Sequence, residues 1–247
     1  MSQLLEGVKA LFLDMDDTLC DTQSANRLAS KDLVKELQGL YPSLDTAAFV
    51  DSYLSGVYRD LSPELADLTK SISDETQYRQ FVFDYFLRDY GVTDHTNDFV
   101  AHTVASYDAK RMQYYAFYPG VEQLLADLRQ IYALVVVTNG PVYSQRPKLE
   151  SVDMDKHVDH IIVGGEEPES KPATSIFMKA CRLAQCETHE ALHAGDSYKA
   201  DIEGANQAGI KSFWINESLP DLVTDYQKAD YASPRFVDIV KFLRAKS

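Results

Sequence analysis

The stretch Val8-Lys9-Ala10-Leu11-Phe12-Leu13-Asp14-Met15-Asp16-Asp17-Thr18 decides how the rest of the chain reads. From Val8 to Leu13 it is apolar apart from Lys9, and it stops abruptly at carboxylates, which predicts a buried strand delivering charge at its C-terminal end. Carboxylates as close as Asp14 and Asp16 repel one another unless a cation or a shared proton compensates. Mg2+, which takes hard oxygen ligands, is the natural remedy. A calcium loop is the rival template, but it needs Gly at its sixth position and Glu at its twelfth, where this chain has Leu19 and Ala25.

Outward from that strand the pattern changes. From about Asp21 to Phe117 the chain is polar and helix-like, with Leu28, Val34 and Leu37, then Tyr78, Phe81, Val82, Tyr85 and Phe86, at three- and four-residue spacings. Of the 26 Tyr and Phe residues, 16 fall between Tyr41 and Tyr118, which predicts a small helical domain packed by aromatics. From Pro119-Gly120 strand and helix alternate again. Val121, Leu124, Leu125 and Leu128 share one helical face, and Ala133 to Val137 and His160 to Val163 read as strands. A helix with Pro172 in its first turn then carries Ile176, Phe177, Ala180, Cys181 and Ala184 on one face. Ala191 to Ala194 and Ile210 to Ile215 are two more strands, separated by a helix that Gly209 ends.

The fold class expected from this order is α/β: a Rossmann-like, mostly parallel sheet core with an inserted all-helical cap domain. The core takes residues 1–20 and 117–247 and the cap residues 21–116. An insertion after the first strand is placed over the sheet's carboxyl edge, where open α/β sheets bind ligands, so it is expected to act as a lid.

Three further elements carry chemistry. Gly195-Asp196-Ser197-Tyr198-Lys199-Ala200-Asp201 again follows an apolar run and opens a helix, so two strands present carboxylates to one cleft. Val135-Val136-Val137-Thr138-Asn139-Gly140 ends a strand in a hydroxyl, an amide and a flexible residue. Asn-Gly usually turns a hairpin, but no matching antiparallel strand follows before Lys148, so a phosphate-holding turn competes well. Lys171, directly before Pro172 at a helix start, could face an anion together with the helix N-terminus.

In this order, on these strand ends, the four elements resemble the motifs of the haloacid dehalogenase (HAD) superfamily of hydrolases, and the match covers the core end to end. Asp14-x-Asp16-x-Thr18 is similar to its first motif, Thr138 to its second, Lys171-Pro172 to its third and Gly195-Asp196-Ser197-x-x-x-Asp201 to its fourth. The helical insert is similar in place and length to the C1-type cap. Ala200 departs from the pattern, since relatives often carry Asn there, a change expected to alter local hydrogen bonding rather than the reaction. The resemblance implies a phosphatase in which Asp14 attacks phosphorus and forms an aspartyl-phosphate, while Asp16 serves as acid and then as base. It also implies Mg2+ held by Asp14, the Asp16 backbone carbonyl and Asp196, with Asp201 in support, and an anion clamp of Thr138, Asn139 and Lys171. Thr138-Asn139-Gly140 with Gln145 resembles members acting on nucleoside monophosphates or on sugar-acid phosphates such as acylneuraminate 9-phosphate.

Asp16 bears on reaction class, because dehalogenase-type relatives lack a carboxylate two residues after the nucleophile and a halide needs no acid to leave. A capped phosphomutase is the other enzyme alternative. A phospho-receiver signalling domain combines similar residues but ends its middle strand in the phosphorylated Asp, whereas here that strand ends in Thr138. Composition agrees with a small-molecule partner. The 247 residues carry 24 basic and 38 acidic side chains, a net charge of -14, with no Lys/Arg stripe, which argues against a nucleic-acid polymer. No run approaches the ~18 apolar residues of a membrane span, and no signal-type block opens the chain, so a cytoplasmic protein is expected. Cys20, Cys181 and Cys186 form no CxxC pair. Candidates for lining the cap are Arg27, Tyr53, Tyr58 and Arg59; His193 and Cys20, beside motifs, read as packing residues.

Overall fold

The computed structural model describes residues 7–58, 63–69, 72, 74–221 and 223–243. Seven strands form one sheet: β1 (Ala10–Leu13), β2 (Ala133–Thr138), β3 (His160–Val163), β4 (Ala191–Gly195), β5 (Lys211–Ile215), β6 (Val223–Tyr226) and β7 (Ala229–Ser233). Their order is β3-β2-β1-β4-β5-β7-β6, parallel throughout except for the β6–β7 pair. The fold is therefore α/β with a mostly parallel sheet, as the alternation of strand and helix patterns predicts.

The central strand explains its own composition. All four residues of β1 are fully buried, because a parallel strand covered on both faces has no polar side to offer. On one face Ala10 and Phe12 join Val135, Val137, Ile162, Ile176, Phe177 and Ile210 in a single cluster. Burying a ring such as that of Phe12 contributes about 1.5–3 kcal/mol. The helix Val121–Arg129 turns Val121, Leu124, Leu125 and Leu128 inward, all of them buried.

The chain divides into two compact units, the residues up to Thr22 together with those from Tyr115 onward, and Gln23–Tyr114. Five helices make up the intervening stretch: α1 (Thr22–Leu40), α2 (Thr46–Tyr58), α3 (Pro63–Thr69), α4 (Glu75–Asp89) and α5 (Asn97–Tyr114). Its core is aromatic, with Phe83 meeting Phe49 and Tyr53 edge-on at centroid distances of 5.1 and 5.0 Å, the geometry that ring quadrupoles favour. Tyr53 is buried in this core, so it packs the helices together. Arg27 is exposed and donates to Ser24 Oγ, and Arg59 lies outside the described residues. Among the described residues no helix is long and apolar enough to cross a membrane.

The structure departs from one local expectation and adds one element. Pro172 stands in a turn closed by the Ala173 N–H on the Ser170 carbonyl at 3.0 Å, and the following helix begins only at Thr174. The Lys171 backbone is therefore held by a side chain, described below, and not by a helix end. The sequence also gave no sign of the β6–β7 hairpin. Its tip residues Gln227 and Lys228 both take positive φ, 48° and 71°, which suits the right-handed twist of paired strands but lacks the Asn-Gly signature that marks such turns.

Candidate active site

Because β1 lies between β2 and β4, three strand ends stand side by side, with Leu13 in register with Val136 on one side and Ala194 on the other. Asp14 continues the ladder, its N–H donating to the Ala194 carbonyl at 2.9 Å. The chain then turns tightly, with Asp17 at φ 55° and the Leu19 and Cys20 N–H groups on the Met15 carbonyl at 3.0 and 2.9 Å. Asp14 and Asp16 are thus delivered to the same sheet edge as Thr138 and the Gly195-Asp196 turn.

Lys171 is buried between carboxylates. Its Nζ donates to Asp14 Oδ1 at 2.6 Å and to Asp201 Oδ1 at 2.7 Å. Asn139 brackets its backbone, donating from Nδ2 to the Lys171 carbonyl at 2.8 Å and accepting the Lys171 N–H on Oδ1 at 3.0 Å. Asn139 therefore spends its amide on aiming Lys171. Asp201 also accepts from His193 Nε2 at 2.8 Å and, through Oδ2, from the Ser197 N–H at 2.9 Å. His193 is thus more than a packing residue, although it does pack edge-on against Phe177 at 5.1 Å. Only glycine fits at position 195, since a Cβ there would stand 2.2 Å from Asp201 Cγ.

A second lysine serves the second carboxylate. Asp16 Oδ2 accepts from Lys148 Nζ at 2.8 Å and from Gln145 Nε2 at 2.9 Å, while Oδ1 accepts from Thr22 Oγ1 at 2.5 Å and Tyr115 OH at 3.0 Å. Gln145 Nε2 also reaches Thr138 Oγ1 at 2.6 Å, and Gln145 Oε1 takes a further bond from Lys148 Nζ at 2.9 Å. Thr138, itself buried, is linked to Asp16 through one shared amide. Lys148 escaped the sequence reading. Gln145 and Lys148 stand three apart in the helix Val142–Ser151 and so share a face, but the same spacing occurs on any solvated helix.

The charges sort themselves by these partners. Burial pushes the Asp14 carboxyl well above the usual range, and although Lys171 opposes this, the charges of Asp201 and Asp196 reinforce it. Burial likewise raises Asp196, helped by Asp201 and Asp17, to about 7. Asp201 is held below the usual range, because Lys171 and His193 together outweigh the burial that acts against its charge. Asp16 is also lowered, with Lys148, Thr22 and Gln145 prevailing over burial. Burial takes the Cys20 thiol up to about 12, so it stays a neutral packing group.

One ligand oxygen each from Asp14, Asp196 and Asp201 lie within 4.8 Å of one another. The donor set is all oxygen, and two of its carboxyls are raised by burial and by the charge of neighbouring carboxylates, which fits a hard divalent cation. Asp201 already accepts three hydrogen bonds, so it suits a supporting place behind Asp14 and Asp196.

Residues 8–209 match the sequence model of the haloacid dehalogenase-like hydrolases. The N-acylneuraminate-9-phosphatase of Rattus norvegicus is 30% identical over 228 residues, covering 87% of this chain and 85% of its own. The glyceraldehyde 3-phosphate phosphatase of Pyrococcus abyssi is 29% identical over 211 residues, covering 84% and 81%. Among solved structures, the magnesium-bound HAD-hydrolase YfnB of Bacillus subtilis is similar in fold, with a TM-score of 0.66 at 22% identity over 96% of this chain and 98% of that one.

Proposed function

The chain belongs to the haloacid dehalogenase-like hydrolase family, and from that premise we propose that it is a Mg2+-dependent phosphomonoesterase working through an aspartyl-phosphate on a small phosphorylated metabolite. The observation that carries this reading is the division of labour between two ion pairs at one sheet edge, Lys171 with Asp14, which is buried, and Lys148 with Asp16, which is half-buried. One carboxylate is set beside a cation that can also meet a phosphoryl group. The other is built into a separate cradle of donors, as an acid and base distinct from the nucleophile needs to be.

In the first step an Asp14 carboxylate oxygen bonds to phosphorus as the ester P–O bond breaks, and Asp16, protonated by the monoanionic phosphate ester as it binds, passes that proton to the departing alkoxide. In the second, Asp16 takes a proton from water as that water attacks the aspartyl-phosphate, which releases inorganic phosphate and restores Asp14. Lys171 and Thr138 balance charge on the phosphoryl oxygens, and Asn139 keeps Lys171 aimed. Asp14, the Asp16 backbone carbonyl and Asp196, with Asp201 in support, would hold Mg2+, which would supply the remaining positive charge. We assign this chemistry to the core, residues 1–20 and 117–247, and the choice of substrate to the helical cap, residues 21–116. The names of the two relatives favour sugar-acid and small sugar phosphates, with nucleoside monophosphates the other class to try.

The test is phosphate release across acylneuraminate 9-phosphate, glyceraldehyde 3-phosphate and nucleoside monophosphates, with Mg2+ and with EDTA. Release from one class that EDTA abolishes is the expected result. Equal release in EDTA removes the metal from the reading, and no release from any of them with Mg2+ present removes the phosphatase.

A second expectation concerns Lys148 and depends on leaving group. If Lys148 serves to orient Asp16, its loss matters only where a proton must be delivered. Lys148→Met is expected to lower kcat/KM for an alkyl phosphate by roughly 100-fold or more, but to cost far less with a nitrophenyl phosphate, whose leaving group departs unprotonated. Equal losses on both substrates count against a role through Asp16.

A further inference from the structure

We propose that Trp214 is a positioning residue for Asp196 and that it sets the affinity of the acidic cluster for Mg2+; this rests on the reading of Asp196 as a metal ligand. Trp214 and the hairpin behind it both lie beyond residue 209, where the family match ends.

The inference starts from the peptide plane between Asp196 and Ser197. Its carbonyl accepts from Trp214 Nε1 at 2.8 Å, and its N–H donates to Asp201 Oδ2 at 2.9 Å. Both ends of the plane that follows the Asp196 Cα are therefore pinned, one by an indole and one by a carboxylate. Trp214 is in place to do this because β5 runs beside β4, with Gly195 and Trp214 in register. The Asp196 side chain has a carboxylate oxygen within 4.8 Å of those of Asp14 and Asp201, and like charges held so close press it to move away from them. A pinned backbone resists that movement, so the ligand is already oriented when a cation arrives, and groups that orient ligands in this way govern affinity.

The indole is itself held. Tyr198 meets it edge-on at 5.1 Å, and Tyr226 of β6 stacks on it at 5.9 Å with 29° between the planes. The hairpin tip is fastened to the segment that follows Asp196 by two bonds, from Tyr198 OH to the Gln227 carbonyl and from Asn206 Nδ2 to the Lys228 carbonyl, the latter at 2.8 Å. The β6–β7 hairpin, at the sheet edge, is in this way built into the support of a turn two strands further in.

Trp214 is the chain's single tryptophan, so its emission reports on this bond with no background from other indoles. The experiment titrates Mg2+ into the metal-free full-length protein, following binding by calorimetry and by tryptophan fluorescence. In the wild type both signals are expected to saturate at the same Mg2+ concentration. Trp214→Phe keeps a ring between the two tyrosines but removes the N–H. It is expected to raise the half-saturating Mg2+ concentration, by calorimetry and by activation of phosphate release, roughly tenfold, with kcat recovering as Mg2+ is raised to saturation. Tyr226→Leu keeps the N–H but frees the ring, and is expected to give a smaller shift in the same direction. Wild-type affinity in a folded Trp214→Phe protein overturns the proposal, as does calorimetric saturation of the wild type without a change in emission. If the wild type binds no Mg2+ by calorimetry, it is the metal reading that fails. If Trp214→Phe does not fold, the wild-type emission and Tyr226→Leu still decide the matter.

Discussion

Asp14→Asn is expected to reduce phosphate release by roughly four orders of magnitude or more, since it removes the proposed nucleophile while almost preserving shape. The fold should survive the change, and metal-free stability should hold or rise. Asp14 is buried, its carboxyl is held well above the usual range, and it faces the charges of Asp201 and Asp196, so a neutral amide relieves repulsion at that point. Lys171 keeps Asp201 as its partner at 2.7 Å. Phosphate release and thermal melting in EDTA, measured on the same preparation, check both halves of the expectation. Activity within tenfold of wild type would sink Asp14 as nucleophile, and a melting temperature several degrees lower would show that its charge stabilises the site.

Lys171→Met should have the largest effect on stability. Lys171 is the cation that two buried carboxylates share, at 2.6 and 2.7 Å, and removing one partner of a buried pair costs about 3–5 kcal/mol. For a chain of this size that corresponds to a fall in Tm of roughly 6–20 °C. On the proposed mechanism phosphate release should be lost as well, because Lys171 is the cation assigned to the phosphoryl group. The pH dependence has a definite sign. Without Lys171 the Asp14 carboxyl stays above its unfolded-state value, so the native protein binds more protons than the unfolded chain. The contribution of that group is then present at low pH and lost as pH rises through the folded pKa. The variant should therefore melt closer to wild type at pH 5 than at pH 8, in EDTA. Asp14→Asn in the Lys171→Met background should restore part of the loss, since it removes one of the two stranded charges. If the two changes simply add, within about 0.5 kcal/mol, Lys171 and Asp14 are not energetically joined.

Fold class was legible because its signals are local. An apolar run that stops at Asp14 is a buried strand in any context, and Val121, Leu124, Leu125 and Leu128 point one way as soon as a helix forms. The hairpin from Val223 to Ser233 was not legible, because Gln227 and Lys228 adopt positive φ without the residue types that favour it. The start of the helix at Thr174 was misread for a similar reason, since Pro172 suits a first helical turn and a preceding turn equally.

The residues of the candidate site were named one motif at a time, and the topology brings Asp14, Asp16, Thr138, Lys171, Asp196 and Asp201 to one sheet edge. Their partners were a different matter. Lys148 reaches Asp16 across 132 positions, and Tyr115 reaches it across 99. The bonds between the Asn139 side-chain amide and the Lys171 backbone span 32 positions. His193 was read as packing and hydrogen-bonds Asp201.

By itself, then, the sequence determined the strand and helix order, the α/β class and which side chains are candidates for the chemistry, because each of these shows in patterns a few positions long. Only the tertiary structure decided which cation serves which carboxylate, which charges are held down and which are pushed up, and that an edge hairpin and a single indole stand behind Asp196. Those depend on burial and on distances of a few ångströms between residues remote along the chain, which no local pattern of residue types encodes.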